Sequence, residues 1–137
     1  MFRQLPLARR FARLRLAGEA VAALTRAAIS VRFRPFSEAV MSSSIPLPEC
    51  HRSQANALEV AWAVKGAARR LPLRLVCFQQ ALAAQRMMRR RGVDARLHYG
   101  IALDRKDLAA HVWVEVDGRV VIGDGVDRPF ARVATFP

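Results

Sequence analysis

The stretch Ala110-His111-Val112-Trp113-Val114-Glu115-Val116-Asp117-Gly118-Arg119-Val120-Val121-Ile122-Gly123-Asp124 decides the fold of this chain. Apolar residues alternate on either side of Asp117-Gly118, the pattern of two half-buried strands joined by a tight turn. Asp-Gly suits a type I′ turn, which needs positive φ at both central positions. With those two residues as the loop, Val116 faces Arg119, Glu115 faces Val120 and His111 faces Asp124. Directly opposed side chains share a face, with Cβ atoms about 5 Å apart. The register therefore predicts an imidazole beside a carboxylate at the far end of the hairpin. A bulge would shift the pairing by one residue and separate them. Asp117 is too far from His111 to take that part, on the order of 20 Å along the strand.

Period-two patterning extends on both sides of the hairpin. Arg96–Ala102 reads as a strand, followed by a polar bend at 104–107, and Arg132–Phe136 reads as a short last strand. Before Gly92 the period is helical. A helix is predicted from Cys77 to a C-cap at Gly92, with Arg89, Arg90 and Arg91 complementing the helix dipole. Another runs from about Ser53 to Arg70, with Leu58, Ala61, Trp62 and Lys65 along one stripe, and Pro72 ends it. The first spans about Leu7 to Ile29, with Leu7, Phe11, Leu14, Gly18, Val21, Thr25 and Ala28 as a face that docks on the domain or, in a basic amphipathic helix, lies on a membrane or grips an acidic partner. Residues 41–50, with three serines and two prolines, read as a loop. Helices first and strands afterwards predict an α+β fold with a small antiparallel sheet. Residues 1–48 form an N-terminal helical region and loop, and 49–137 the core.

The element boundaries select candidate chemistry. Cys77 falls at a helix start, where unpaired backbone N–H groups and the positive dipole end favour thiolate over thiol. The same groups can stabilise a tetrahedral oxyanion. Cys77, His111 and Asp124 together have the composition of a thiol-protease triad. Asp127 is the fallback for the third member, and Gln79 or Gln80 a second oxyanion donor. Trp113 shares the His111 face and lines a substrate groove or packs in the core. A cysteine in an apolar stretch is equally a small buried hydrophobe, and a strand-end histidine can be merely half-buried. His98 lies away from the Leu97-Tyr99-Ile101 face, in a structural or substrate-side position. Cys50, in the loop beside His51, has no comparable setting. Three histidines and two cysteines without ligand spacing predict no metal site.

Composition bounds the rest. At 137 residues and 53% apolar, the chain has one core and is not compositionally disordered. Its longest stretch free of charged side chains is Leu75 to Gln85, whereas a membrane span needs roughly twenty residues. Arginines interrupt every apolar run near the N-terminus, so no secretory signal is predicted. Two cysteines without a C-x-x-C make a reducing cytoplasm the default compartment. The net charge of +12 rests on 21 arginines and two lysines, which invites a nucleic-acid reading. Its distribution argues otherwise. Residues 1–36 carry eight arginines and one glutamate, while 97–137 sum to −1. With one tyrosine and two tryptophans there is no basic-aromatic platform, so the arginines read as solvated helix faces and a docking surface.

Arg69–Arg91, with its Leu-Val-Cys-Phe-Gln-Gln core, resembles the cysteine helix of the transglutaminase-like leader peptidases of lasso peptide biosynthesis. Gly92–Gly100, the His-Val-Trp-Val-Glu-Val-Asp-Gly block at 111–118 and the closing Ala131–Phe136 continue the likeness, and Arg32–Phe36 is similar to their N-terminal portion. The resemblance implies a transglutaminase-like, papain-like cysteine protease core that removes the leader from a ribosomally made precursor peptide, with no cofactor. It implies a separate leader-recognition protein, since the short form lacks a fused recognition domain, and an ATP-dependent lasso cyclase acting next. The family's cysteine and histidine map onto Cys77 and His111. Its aspartate maps onto Asp124 or Asp127. The alternatives are a non-catalytic peptide-binding module on the same fold, or a transglutaminase or amidase acting on another substrate.

Overall fold

The computed structural model of the chain describes residues 6–43, 45, 46, 54–104, 106–124 and 130–137. Among the described residues, four helices precede four strands: α1 Leu7–Phe33, α2 Phe36–Ser43, α3 Gln54–Arg70, α4 Cys77–Arg90, β1 Arg96–Asp104, β2 Asp107–Val116, β3 Arg119–Ile122 and β4 Ala131–Phe136. The fold is α+β, helices followed by one antiparallel four-stranded sheet. Local chemistry sets the helix ends. Arg34 is extended before Pro35, which cannot follow a helical residue without a clash. Gly92 closes α4 at φ +77°, with its N–H on Arg89 O and that of Val93 on Met88 O, a left-handed cap. Residues 41–43 are helical, so the predicted 41–50 loop starts later than the serines suggest.

The sheet order is β3-β2-β1-β4. Asp117 and Gly118 adopt φ +50° and +76°, as a type I′ turn requires. Val116 pairs with Arg119 and Glu115 with Val120, as the turn predicts, but Val114 then pairs with Ile122. Val121 is the extra residue of a bulge. The cause is hydrophobic. Strict alternation would turn one of the consecutive Val121 and Ile122 to solvent, whereas the bulge buries both, each worth about 1.5–3 kcal/mol. β3 ends at Ile122 and the pairing has slipped by one, so Asp124 does not oppose His111.

One face of the sheet packs on the helices. Leu97, Val112, Val114 and Val116 join α4's Ala81, Ala84, Met87 and Met88 and α3's Val60 and Val64 in a single core, which also takes Ala20, Leu24 and Ala27 from α1. Of the predicted stripes, Ala61 of α3 is buried in the core, but most of the large side chains are not. Leu7, Phe11, Leu14 and Val21 of α1 are exposed, as are Leu58 and Trp62 of α3. The buried faces lie about one residue round each helix and are alanine-rich, and alanine lets helix axes approach closely. The arginine run at the end of α4 is built into this packing. Arg89 is buried and donates to Ile45 O at 2.6 Å. Arg91 forks onto Glu19 of α1, Nη1 to Oε1 at 2.8 Å and Nη2 to Oε2 at 2.5 Å. No helix among the described residues is long and apolar enough to cross a membrane.

Candidate active site

Cys77 is the first residue of α4, preceded by Val76 in extended backbone. Val76 occupies the cap position and offers the first-turn amides no side-chain acceptor. The thiol is half-buried against the core beside Leu75 and Phe78. An aromatic cluster holds this end of the helix in place. Phe36 of α2 stacks on Phe78 at 5.1 Å and meets Tyr99 and Phe136 edge-on at 5.6 and 5.9 Å. The two glutamines turn back on their own helix start. Gln79 Oε1 accepts from Val76 N–H, and Gln80 Nε2 donates to Leu75 O, both at 3.1 Å. As placed, Gln80 supports the loop before Cys77.

His111 leaves β2 on the face opposite Val112 and Val114. Its Nε2 lies 2.7 Å from the Gly123 carbonyl. A carbonyl only accepts, so Nε2 carries the proton, and in a neutral ring Nδ1 keeps the lone pair. That is the tautomer a general base needs, with its second nitrogen held by an orienting acceptor. Trp113 stacks on the ring at 5.9 Å and Phe130 covers it at 5.1 Å. Gly123 takes φ +84°, and a Cβ there would meet Val112 O at 2.7 Å. Asp124 follows in the chain, and its carboxylate accepts from Lys65 of α3 at 2.8 Å, a bond that holds it below the usual carboxylate range. The predicted His111–Asp124 contact is thus replaced by His111–Gly123 carbonyl and Asp124–Lys65, a consequence of the bulge in β3. No hydrogen bond, ion pair or ring contact joins Cys77 to His111 among the described residues. Asp127, Cys50 and His51 lie outside them.

Trp113 is buried, at 9% exposure. It sits over Gly100, where a Cβ would come within 2.7 Å of the indole, and its Nε1 donates to Glu115 Oε1 at 3.0 Å. On its other side lies His98, buried, with Nδ1 2.8 Å from Thr135 Oγ1. His98 Nε2 is 3.2 Å from Glu115 Oε2 but poorly aligned for a hydrogen bond. Desolvation pushes His98 below the ordinary imidazole range, against the pull of Glu115. Arg132 of β4 completes the set at 3.2 Å from Glu115 Oε1. Glu115 therefore anchors the Trp113 ring that in turn backs His111.

Sequence reading missed three of these supports. Gly123 had a visible signal, a glycine directly after an apolar strand, which often marks a bulge or close backbone approach. Lys65, one of two lysines against 21 arginines, carried only a weak one. Buried Gln85, whose Nε2 donates to Ala95 O and Phe136 O at 3.3 and 3.1 Å and so fixes β1 and β4 to α4, had none. No group of three or more His, Cys, Asp or Glu among the described residues is placed to hold a metal ion. No curated protein and no solved structure matches the chain significantly. The family model of the transglutaminase-like superfamily matches residues 1–135. With a cysteine at the start of a core helix and a histidine on the adjoining antiparallel sheet, the chain belongs to the transglutaminase-like superfamily.

Proposed function

We propose that this protein is a cysteine peptidase that removes the leader from a ribosomally synthesised lasso precursor peptide. The observation that carries the catalytic part is Cys77 as the first residue of α4, next to amides that the Val76 side chain does not cap, in a chain of transglutaminase-like family. The likeness of the cysteine helix and the 111–118 block to lasso leader peptidases supplies the substrate class. In this reading His111 Nδ1 takes the thiol proton and the sulfur attacks the carbonyl carbon of the last leader residue. The C–N bond then breaks, and the departing amine takes that proton from His111 and becomes the new N-terminus of the core peptide. Water hydrolyses the thioester, freeing the leader acid and the thiol. The Cys77 N–H is one oxyanion donor. This scheme requires a thiol–imidazole hydrogen bond to form in the substrate complex. Asp124 acts in this scheme by anchoring to Lys65 the loop whose Gly123 carbonyl orients His111. A separate leader-recognition protein delivers the substrate and an ATP-dependent lasso cyclase takes the product.

The pairing of Asp124 with Lys65 rather than His111 also suits a second reading, a peptide-binding module without catalysis. Cleavage of a cognate precursor, with its recognition protein present, separates the two. Cys77→Ala and His111→Ala should each lower the rate by about a thousandfold or more. Asp124→Asn should lower it by about tenfold, and Asp117→Asn should leave it unchanged. Undiminished cleavage by Cys77→Ala would sink the mechanism. If wild type does not cleave but binds the precursor, the module reading stands instead.

A further inference from the structure

Between α1 and α3 lies an open groove of about 830 Å³. Small residues form its floor, Ala17 and Gly18 from α1 and Ala63, Gly66 and Ala67 from α3, and a Cβ added at Gly18 would meet nothing within 4 Å. Its walls are large and apolar: Leu7, Phe11 and Leu14 are 70, 64 and 69% exposed, and Trp62 opposite is 50% exposed. Single exposed apolar residues are ordinary, but a contiguous apolar groove on a surface marks an interaction site. The rim is cationic. Arg10, Arg13 and Arg70 border the groove; Arg13 lies 5.0 Å over the Trp62 ring, and Arg70 Nη1 donates to Gly66 O at 3.1 Å.

We propose that this groove docks an acidic amphipathic helix of a partner protein. The partner's apolar side chains would fill the space over the small-residue floor, and its carboxylates would meet the three arginines. From Leu7 to Val21 the groove runs about 20 Å along α1, room for about four turns of helix. A bilayer fits the surface poorly, because it covers projecting apolar faces and cannot enter a concave one. A second copy fits poorly too, because it would set one arginine rim against another. Phosphate chains would satisfy the arginines but leave Phe11, Leu14 and Trp62 uncovered. The groove contains neither Cys77 nor His111, so the inference does not depend on the peptidase reading.

The probe is a fluorescein-labelled peptide of about 18 residues with leucines on one helical face and glutamates on the other, followed by fluorescence anisotropy. Wild type should bind it saturably. Phe11→Ser and the double variant Arg10→Glu/Arg13→Glu, both at exposed positions, should weaken binding by at least about tenfold while their circular dichroism stays that of wild type. The charge-reversed variant should gain affinity for the matching leucine–lysine peptide. Absence of saturable binding by wild type, or binding that Phe11→Ser leaves unchanged, overturns the proposal. So does sedimentation with phosphatidylserine-containing vesicles in the absence of peptide binding, and so does a concentration-dependent dimer that Phe11→Ser disperses.

Discussion

Gly123 holds the backbone at φ +84°, with Val112 O 2.7 Å and Trp113 Cβ 2.9 Å from the place a Cβ would occupy. Both the conformation and the space exclude a side chain, so Gly123→Ala should cost about 2 kcal/mol or more in urea unfolding. In the cleavage assay it should also lose more activity than its stability explains, because the displaced carbonyl no longer orients His111. A fully active Gly123→Ala enzyme would remove that carbonyl from the mechanism. His98 makes a different prediction. Burial lowers its pKa in the folded state, so the unfolded chain binds the proton first as pH falls. The stability it contributes is present above about pH 6.5 and fades below that value. As pH falls below about 6.5 wild type should lose stability more steeply than His98→Asn, whatever the offset between them at neutral pH. Parallel curves would show that His98 does not titrate on unfolding.

Elements meet through a few long-range polar ties. The Arg91–Glu19 fork joins the end of α4 to the middle of α1, and the hydrogen bonds from Arg91 hold Glu19 below the usual carboxylate range. A carboxylate depressed in the folded state stabilises above its unfolded pKa and stops doing so as pH falls. Glu19→Gln should therefore cost about 1 kcal/mol at pH 7, a value that allows for the pair's partial exposure. The difference from wild type should start to shrink as pH falls below about 4.3 and vanish once the folded carboxylate is protonated. A pH-independent difference would mean the loss is packing and not charge. The same arginine run shows how far sequence reads at this scale. Its place in the last turn and the Gly92 cap were legible, because capping is local chemistry. That Arg89 would be buried on Ile45 O and Arg91 forked onto a helix 72 residues away depends on which helices become neighbours. The hairpin divides likewise. The type I′ turn follows from Asp117-Gly118 alone, whereas the bulge follows from burying Val121 and Ile122 against helices that the strand's own sequence does not contain.

The whole molecule is organised around small residues. Leu24 is fully buried among helices that approach over alanines, while Phe11, larger and more apolar, stands in solvent. Leu24→Ala should accordingly cost about 2.5–4 kcal/mol, and Phe11→Ala about 0.5 kcal/mol or less. Reversed values from chemical denaturation would place the core on the other face of α1. Large side chains mislead here because periodicity marks an apolar stripe without saying whether the protein's own core or a partner covers it. The net charge of +12 resolves in the same way. Some of its arginines are internal struts, and others border an apolar groove.

The sequence by itself determined the succession of α1, α3, α4 and the strands that follow, the cap at Gly92, the tight turn at Asp117-Gly118 and the placing of Cys77 at a helix start, while α2 went unread. All of these rest on interactions within a few residues of chain. The tertiary structure alone decided the face of α1 that is buried, the slip in β3, and the replacement of an expected His111–Asp124 pair by the Gly123 carbonyl and Lys65. Those outcomes depend on which apolar side chains compete for one core, a balance set between elements far apart in sequence and therefore absent from any single stretch of it.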